Sequence, residues 1–308
     1  MNLQKINIIK LLSILIFLVI WTSSAVAIEM DIEALQKEID ARGYKWKAGK
    51  TSLSDLSLEE LKMMFPQKLP RTIRMMPAEE RAELPADFPT FLDWRNYKGG
   101  NWITPVKQQM PCGSCYAFAT VGTMETLIKL HYNDPDLPVD LSEQYMVSCG
   151  GYGCKGVEWP YMALDILVNS GVPDEACFPY KRIQWCGIEP PCTKACNDSA
   201  SRIHKLSSYS FIDGEGLSIP FGDEVVAFIP YPENIKAVLV NKPVACVMLM
   251  GLDSTFYNGG IYEPTGPAVL GHFVEIIGFD DAQQCWICKN SFETNWGETA
   301  DFKPYTRG

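Results

Sequence analysis

Gln109-Met110-Pro111-Cys112-Gly113-Ser114-Cys115-Tyr116-Ala117-Phe118 sets one cysteine where a helix should begin and a second three residues earlier. A thiol is a strong nucleophile only as thiolate. The positive end of a helix dipole together with a neighbouring imidazolium lowers its pKa to about 3.5–7.5, and Cys115 stands at such an end. Ala117, Phe118, Val121, Met124, Leu127, Ile128 and Leu130 keep the three-and-four spacing of a core-facing helix, which Asn133-Asp134-Pro135 should stop. Backbone N–H groups of its first turn are free to hold an oxyanion. A plainer reading makes Cys112 a disulfide partner and Cys115 a small buried residue.

A thiolate nucleophile needs a base, and the chain has three histidines: His131, His204 and His272. His131 closes the Cys115 helix about four turns along, which puts its ring roughly 20 Å or more from the thiol. His204 falls in the polar stretch Ser201-Arg202-Ile203-His204-Lys205, where a surface position is expected. His272 opens His272-Phe273-Val274-Glu275-Ile276-Ile277-Gly278-Phe279-Asp280, whose alternation suits a half-buried strand.

The segment around Cys115 resembles the active-site signature of papain- and cathepsin-type cysteine peptidases, Cys-Gly-(Ser/Ala)-Cys-(Trp/Tyr) with His and Asn far downstream. The run from His272 is similar to the family's histidine strand. Trp286-Ile287-Cys288-Lys289-Asn290-Ser291-Phe292-Glu293-Thr294-Asn295-Trp296-Gly297-Glu298 resembles its Lys-Asn-Ser-Trp and Trp-Gly-Glu block. A base works better when a third group fixes its tautomer and ring plane, and the neutral amide of Asn290 suits that task. The resemblance makes Gln109 the glutamine that helps the Cys115 N–H bind the oxyanion; register against Cys115 selects it over Gln108.

What this resemblance implies is an α+β, papain-like two-domain fold, with a helical left domain, an antiparallel β-barrel-like right domain and the active site in the cleft. It further implies a cysteine-type peptidase acting on peptide or protein substrates, with no cofactor and no metal. Gly156, Val157, Trp159, Pro160, Val247, Leu270, Gly271 and Trp296 fall where relatives line the substrate groove, suggesting an apolar P2 preference. Matching the family's pattern pairs Cys112 with Cys154, and Cys149 with Cys177 or Cys186. Three departures stand out. Val157 replaces the second of two adjacent glycines, so a side chain should crowd the substrate's backbone-binding edge. Tyr116 and Phe292 stand where tryptophan is usual. Relatives also continue through further strands past Trp-Gly-Glu, whereas Pro304 falls in what should be a strand, so the β domain is expected to lack an edge or part of a pocket floor.

The N-terminus carries Lys5 and Lys10, an apolar run from Leu11 to Trp21, and Ala25-Val26-Ala27. That is the pattern of a signal peptide at 1–27, its apolar core being shorter than the roughly 20 residues of a membrane span; an uncleaved anchor is the alternative. Eleven cysteines behind an export signal imply an oxidising compartment, extracellular or lysosome-like. Cys285 and Cys288 cannot bridge each other in a strand, where three steps separate their Cα atoms by about 10 Å. Cys246 reads as a buried reduced thiol. Cys177, Cys186, Cys192 and Cys196 suit disulfides better than a structural zinc in such a compartment. A net charge of −10 with no basic patch argues against nucleic acid as a partner, and no other run could span a bilayer, so a monomer free of the membrane after signal cleavage is expected.

Residues 28–84 hold no cysteine and read as two amphipathic helices, Glu33 to Arg42 and Leu61 to Phe65, the latter started by the capping box Ser57-Leu58-Glu59-Glu60. Trp46-Lys47-Ala48-Gly49 is similar to a short cathepsin-B-type propeptide, which would shield Cys115 and be cut away at Pro77 to Pro89; a permanently attached accessory domain is the other reading. Residues 85–200 read as helical and 201–308 as β-rich, so nucleophile and base come from different domains. An endopeptidase is favoured over a carboxydipeptidase, because Cys177 to Cys196 holds no histidine. A catalytically silent papain-fold binding protein and a Cys-dependent transamidase or ligase are the competing classes.

Overall fold

Most helix boundaries carry a chemical cause of their own. Asp31 accepts the N–H groups of Glu33 and Ala34 at 3.0 and 3.1 Å and opens α1 (Ile32–Ala41), which gives way at Gly43, a residue in the left-handed region. Ser57 and Glu60 form a reciprocal capping box at α2 (Leu58–Met64). Helix α3 (Cys115–Tyr132) stops at Asn133 with φ 50°, as Asn133-Asp134-Pro135 predicts. Ser142 caps α4 (Glu143–Cys149) through the Tyr145 N–H, α5 covers Pro160–Asn169, and α6 (Pro232–Leu239) begins on a proline. The computed structural model describes residues 30–65, 72–77, 82–157, 160–181, 189–212, 219–221, 224–298 and 301–304; the expected signal peptide, Trp159 and Cys186 lie outside them.

The strands are β1 (Lys45–Ala48), β2 (Thr72–Pro77), β3 (Phe91–Asp93), β4 (Ile219–Phe221), β5 (Glu224–Ile229), β6 (Val244–Gly251), β7 (Tyr257–Tyr262), β8 (Ala268–Asp280), β9 (Cys285–Lys289) and β10 (Asp301–Pro304). Seven of them form one sheet in the order β1-β7-β10-β9-β8-β3, with β6 also paired to β8, while β2, β5 and β4 form a smaller one. The α+β architecture matches the expectation, yet the described strands trace an open path rather than a closed barrel. Strand β10 lies between β7 and β9, so the missing edge expected near Pro304 is instead a strand inside the sheet, with Pro304 as its last residue.

Two apolar cores result. One gathers Val121, Met124, Met146, Val147, Leu167 and Val172 around the Cys115 helix. The other gathers Ile276, Ile277, Ile287 and Trp296 of the sheet region together with Leu35, Ile39, Trp46, Leu61, Met64 and Phe65 of the N-terminal segment. Trp94, Trp102 and Ile103 also belong to this second core, and β3 pairs with β8. The helical unit expected from residue 85 therefore takes its first strand and these side chains from the β side. From Phe273 to Ile276 the period of two sorts the side chains of β8, Phe273 joining the helical core while Val274 and Ile276 join the other; the irregularity after Ile276 then puts Ile277 in that second core as well.

Cys112 bonds Cys154 as expected. Cys149 bonds Cys192 rather than Cys177 or Cys186, and Cys177 bonds Cys196. The turn Cys192–Lys194 folds against α4, which a pattern read along the sequence does not reveal. These bonds remove the zinc reading for Cys177, Cys192 and Cys196. Cys115, Cys246, Cys285 and Cys288 are free thiols, Cys246 half-buried rather than buried.

Candidate active site

Cys115 is the first residue of α3 and fully buried. Ser114 occupies the N-cap but makes no side-chain capping bond; its carbonyl accepts the Ala117 N–H at 2.8 Å. The thiol lies against the N–H groups of Phe273, Tyr116 and Cys115 itself; burial outweighs them and pushes its pKa up to about 12.

Phe273 follows His272 on β8, so the thiol and the ring share one corner of the cleft. The His272 Nε2 and Asn290 Oδ1 are 2.8 Å apart, which makes Nε2 the protonated nitrogen facing an amide oxygen that can only accept. The other ring nitrogen, Nδ1, is buried with no hydrogen-bond partner among the described residues. Phe292 stacks on the ring at 4.7 Å and 21°, taking the place of the usual tryptophan. Burial pulls His272 down to about 4 against the opposing bond to Asn290, so thiol and imidazole are both neutral here.

Gln109 is fully buried, whereas Gln108 reaches out to Glu293. The Ser291 hydroxyl donates to Gln109 Oε1 at 2.5 Å, which turns Nε2 toward Cys112 O at 2.9 Å and toward the cleft. Ser291 also donates its N–H to Asn290 Oδ1 at 2.7 Å. One Asn-Ser pair thus orients both the ring and the amide.

The N-terminal segment fills this corner. Gln109 Nε2 donates to Met64 O at 3.3 Å, and Phe65 packs edge-on to His272 at 5.5 Å and to Phe292 at 6.3 Å. A Cβ on Gly113 would stand 2.9 Å from Met63 O and 2.5 Å from Cys154 O, so only glycine lets these segments pass so closely. Upstream, β1 pairs antiparallel with β7, and Trp46 donates to Glu263 O at 2.9 Å while packing on Tyr257 and Tyr262. Sequence reasoning missed Met64 and Phe65 as site residues; their only signal is their position at the end of the capped helix α2.

The remaining candidates are dispersed. Gly156 adopts φ 79° beside Val157, whose side chain packs into the helical core instead of crowding the edge. Pro160 opens α5. Val247 is 41% exposed on β6 opposite Phe273, and Leu270 and Gly271 pair with Met250 and Leu249. Trp296 is fully buried beneath Phe292, its indole donating to Ser254 O at 2.9 Å. His131 and His204 are exposed.

Behind the site, charges cross between the two cores. Lys107 contacts Asp140 at 2.7 Å and Glu143 at 2.9 Å, with Glu125 at 3.6 Å. Burial alone would pull Lys107 down, but these carboxylates hold it well above its usual range. Lys289 donates to Thr104 at 2.8 Å and stands 3.7 Å from Glu275, whose pKa burial raises to about 7. A Cβ on Gly122 would meet Glu275 Oε2 at 3.0 Å and Lys289 Nζ at 3.1 Å; glycine lets the pair reach the helix. Among the described residues no group of three or more His, Cys, Asp or Glu is placed to hold a metal, and no helix is long and apolar enough to cross a membrane.

The family model for papain family cysteine proteases matches residues 88–307, and the chain belongs to that family. It is therefore a cysteine peptidase. It is 28% identical over 270 residues to bovine (Bos taurus) pro-cathepsin H, covering 84% of this chain and 72% of that protein. It is 32% identical over 223 residues to the cathepsin B-like protein CP2 of Giardia intestinalis, covering 70% and 69%. Its fold is similar to that of digestive procathepsin L2 from Tenebrio molitor larval midgut, with TM-score 0.64, 24% identity and coverage of 90% and 84%. It is also similar to that of procathepsin B S9 from Trypanosoma congolense, with TM-score 0.66, 18% identity and coverage of 91% and 94%.

Proposed function

We propose that this peptidase is a secreted endopeptidase made as a zymogen, with Cys115 as nucleophile, His272 as general base and acid, Asn290 orienting the ring and Gln109 binding the oxyanion. The thiolate attacks the scissile carbonyl and a C–S bond forms. His272 passes the thiol proton to the leaving amine as the C–N bond breaks, and then takes a proton from the water that hydrolyses the thioester. The observation that carries the reading is the 2.8 Å contact between His272 and Asn290 in the same buried corner as Cys115.

Residues 1–27 act as a signal peptide, which takes the chain to an extracellular or lysosome-like compartment. Residues 28–84 are the inhibitory propeptide, and the working enzyme is a monomer built from a helical half carrying Cys115 and a β-rich half carrying His272 and Asn290. Three disulfides support an oxidising destination. A peptide carbonyl on Gln109 and an aromatic ring on His272 support the inhibitory role. Val247, Leu270, Gly271, Gly156 and Pro160 border the groove on this reading.

The test is to fold the full chain, remove residues 28–84, and treat it with a thiol-directed epoxide. A single adduct mapping to Cys115 with loss of peptide hydrolysis supports the proposal; a Cys115→Ala chain that still cleaved peptides at the wild-type rate would end it. Product masses of free acids, rather than joined peptides, identify water as the acceptor.

A further inference from the structure

We infer that Tyr180, which lies outside the nucleophile, base and amide set, is the positioning residue that keeps the oxyanion-binding loop 109–114 in working shape; this rests on the roles proposed above for Cys115 and Gln109. Its hydroxyl donates to the main-chain carbonyl of Gln109 at 2.8 Å. That uses its single proton, so the Ser114 hydroxyl, 2.8 Å away, donates to the Tyr180 oxygen. One phenol therefore ties the first residue of the loop to its last.

The second bond has a chemical consequence. A serine at a helix N-cap ordinarily accepts an amide of the first turn, as Ser142 does in this chain. Ser114 makes no such bond; its hydroxyl is turned to the Tyr180 oxygen instead. The Cys115 and Tyr116 N–H groups at the start of α3 face the thiol rather than a side-chain cap. The first bond acts on the other donor: it fixes the peptide from which the Gln109 side chain springs, while Ser291 fixes the far end of that side chain.

Tyr180 is itself held from every direction. Its N–H donates to Glu175 at 2.6 Å, the next residue's N–H donates to Gln144 Oε1 at 3.0 Å, and its ring packs edge-on to Phe118 at 4.8 Å. Three residues upstream, Cys177 is bonded to Cys196. A brace anchored this way loses little entropy when it positions the loop, which is the condition for a remote hydrogen bond to matter to a rate.

The test compares Tyr180→Phe with wild type, each folded as the full chain and then freed of residues 28–84 by an added protease. Peptide aldehydes close on the thiolate to give a tetrahedral oxyanion, whereas iodoacetamide alkylates the sulfur without one. We expect kcat on a peptide amide to fall about tenfold with KM unchanged. Aldehyde affinity should fall in parallel, and the limiting alkylation rate at high pH should stay within twofold. Ser114→Ala, which removes one bond and keeps the phenol, should move the same two quantities by about threefold. An unchanged kcat in Tyr180→Phe overturns the proposal, and so does a parallel loss of hydrolysis and limiting alkylation. If Tyr180→Phe does not fold, Ser114→Ala decides by the same criteria. Failure of the underlying reading looks different, since wild type itself would then neither hydrolyse the amide nor bind the aldehyde.

Discussion

Gln109 Nε2 stands 3.3 Å from the carbonyl oxygen of Met64, so the amide proposed to hold an oxyanion already holds a peptide carbonyl. The neighbouring residue, Phe65, covers the His272 ring. Inhibition on this arrangement works by occupation and drying together: the donor is taken, and the thiol and imidazole lose the water that would support their charges.

Phe65→Ala in the unprocessed chain should loosen this cover. Truncating a buried phenylalanine costs about 3–5 kcal/mol, so Cys115 should react with iodoacetamide at least about 10²-fold faster than in the unaltered zymogen. Mass spectrometry of the quenched protein reads the rate. An unaltered rate would place the hold on the cleft elsewhere, in the pairing of β1 with β7.

Gln109→Ala in the processed enzyme should lower kcat by about 10²–10³ with a small change in KM, since the donor acts on charge that develops only in the transition state. Asn290→Ala removes a hydrogen bond to an imidazole that becomes charged, worth about 1.5–3 kcal/mol, so kcat should fall by about 10- to 150-fold. Steady-state kinetics on one peptide amide checks both.

In the zymogen, burial holds Cys115 at about 12 and His272 at about 4. Alkylation should therefore be slow through neutral pH and rise only toward strongly alkaline pH. After removal of residues 28–84 the cleft rehydrates. The thiol pKa should then fall and the imidazole pKa rise, so that a fast plateau appears between roughly pH 5 and 8. Identical profiles before and after processing would sink this account of latency.

Glu275 and Glu175 have pKa values raised by burial to about 7 in each case. Between the unfolded carboxyl value near 4.5 and about 7 the folded chain binds more protons than the unfolded one. Their contribution to stability is complete below about pH 4.5 and is lost as pH rises through 7. His272, lowered to about 4, acts oppositely: its contribution is present above about pH 6.5 and is lost as pH falls through 4. Two carboxylates against one imidazole should still make the zymogen melt at a higher temperature at pH 5 than at pH 7.5. Glu275→Gln should flatten that difference, as calorimetry at both pH values can show.

Much of the candidate site was legible because its chemistry is local. Cys115 announces itself through a helix start, Gln109 through register six residues upstream, and His272 through exclusion of two histidines that lie on exposed stretches. The disulfide partner of Cys149 was not legible, since it depends on the turn Cys192–Lys194 lying against α4. Nor was the place of Met64 and Phe65, whose seat in the cleft follows from β1 pairing with a strand more than two hundred residues later. Val157 shows the limit differently: the residue type was read correctly, but backbone direction, which turns its side chain inward, belongs to the tertiary structure. Tyr180 carries no motif of its own, and its partners Gln109 and Ser114, some seventy residues upstream, become visible only in the tertiary structure.

The capping box, the Trp46 anchor and the β1–β7 pairing all lie upstream of the expected cut between Pro77 and Pro89. On the proposed processing, scission there would leave every one of those contacts intact, so that breaking the peptide bond and unlocking the enzyme would be separate events. Dilution, acid or a second protease must then dislodge a severed but still seated fragment, and the onset of turnover should lag behind the appearance of the shorter band on a gel.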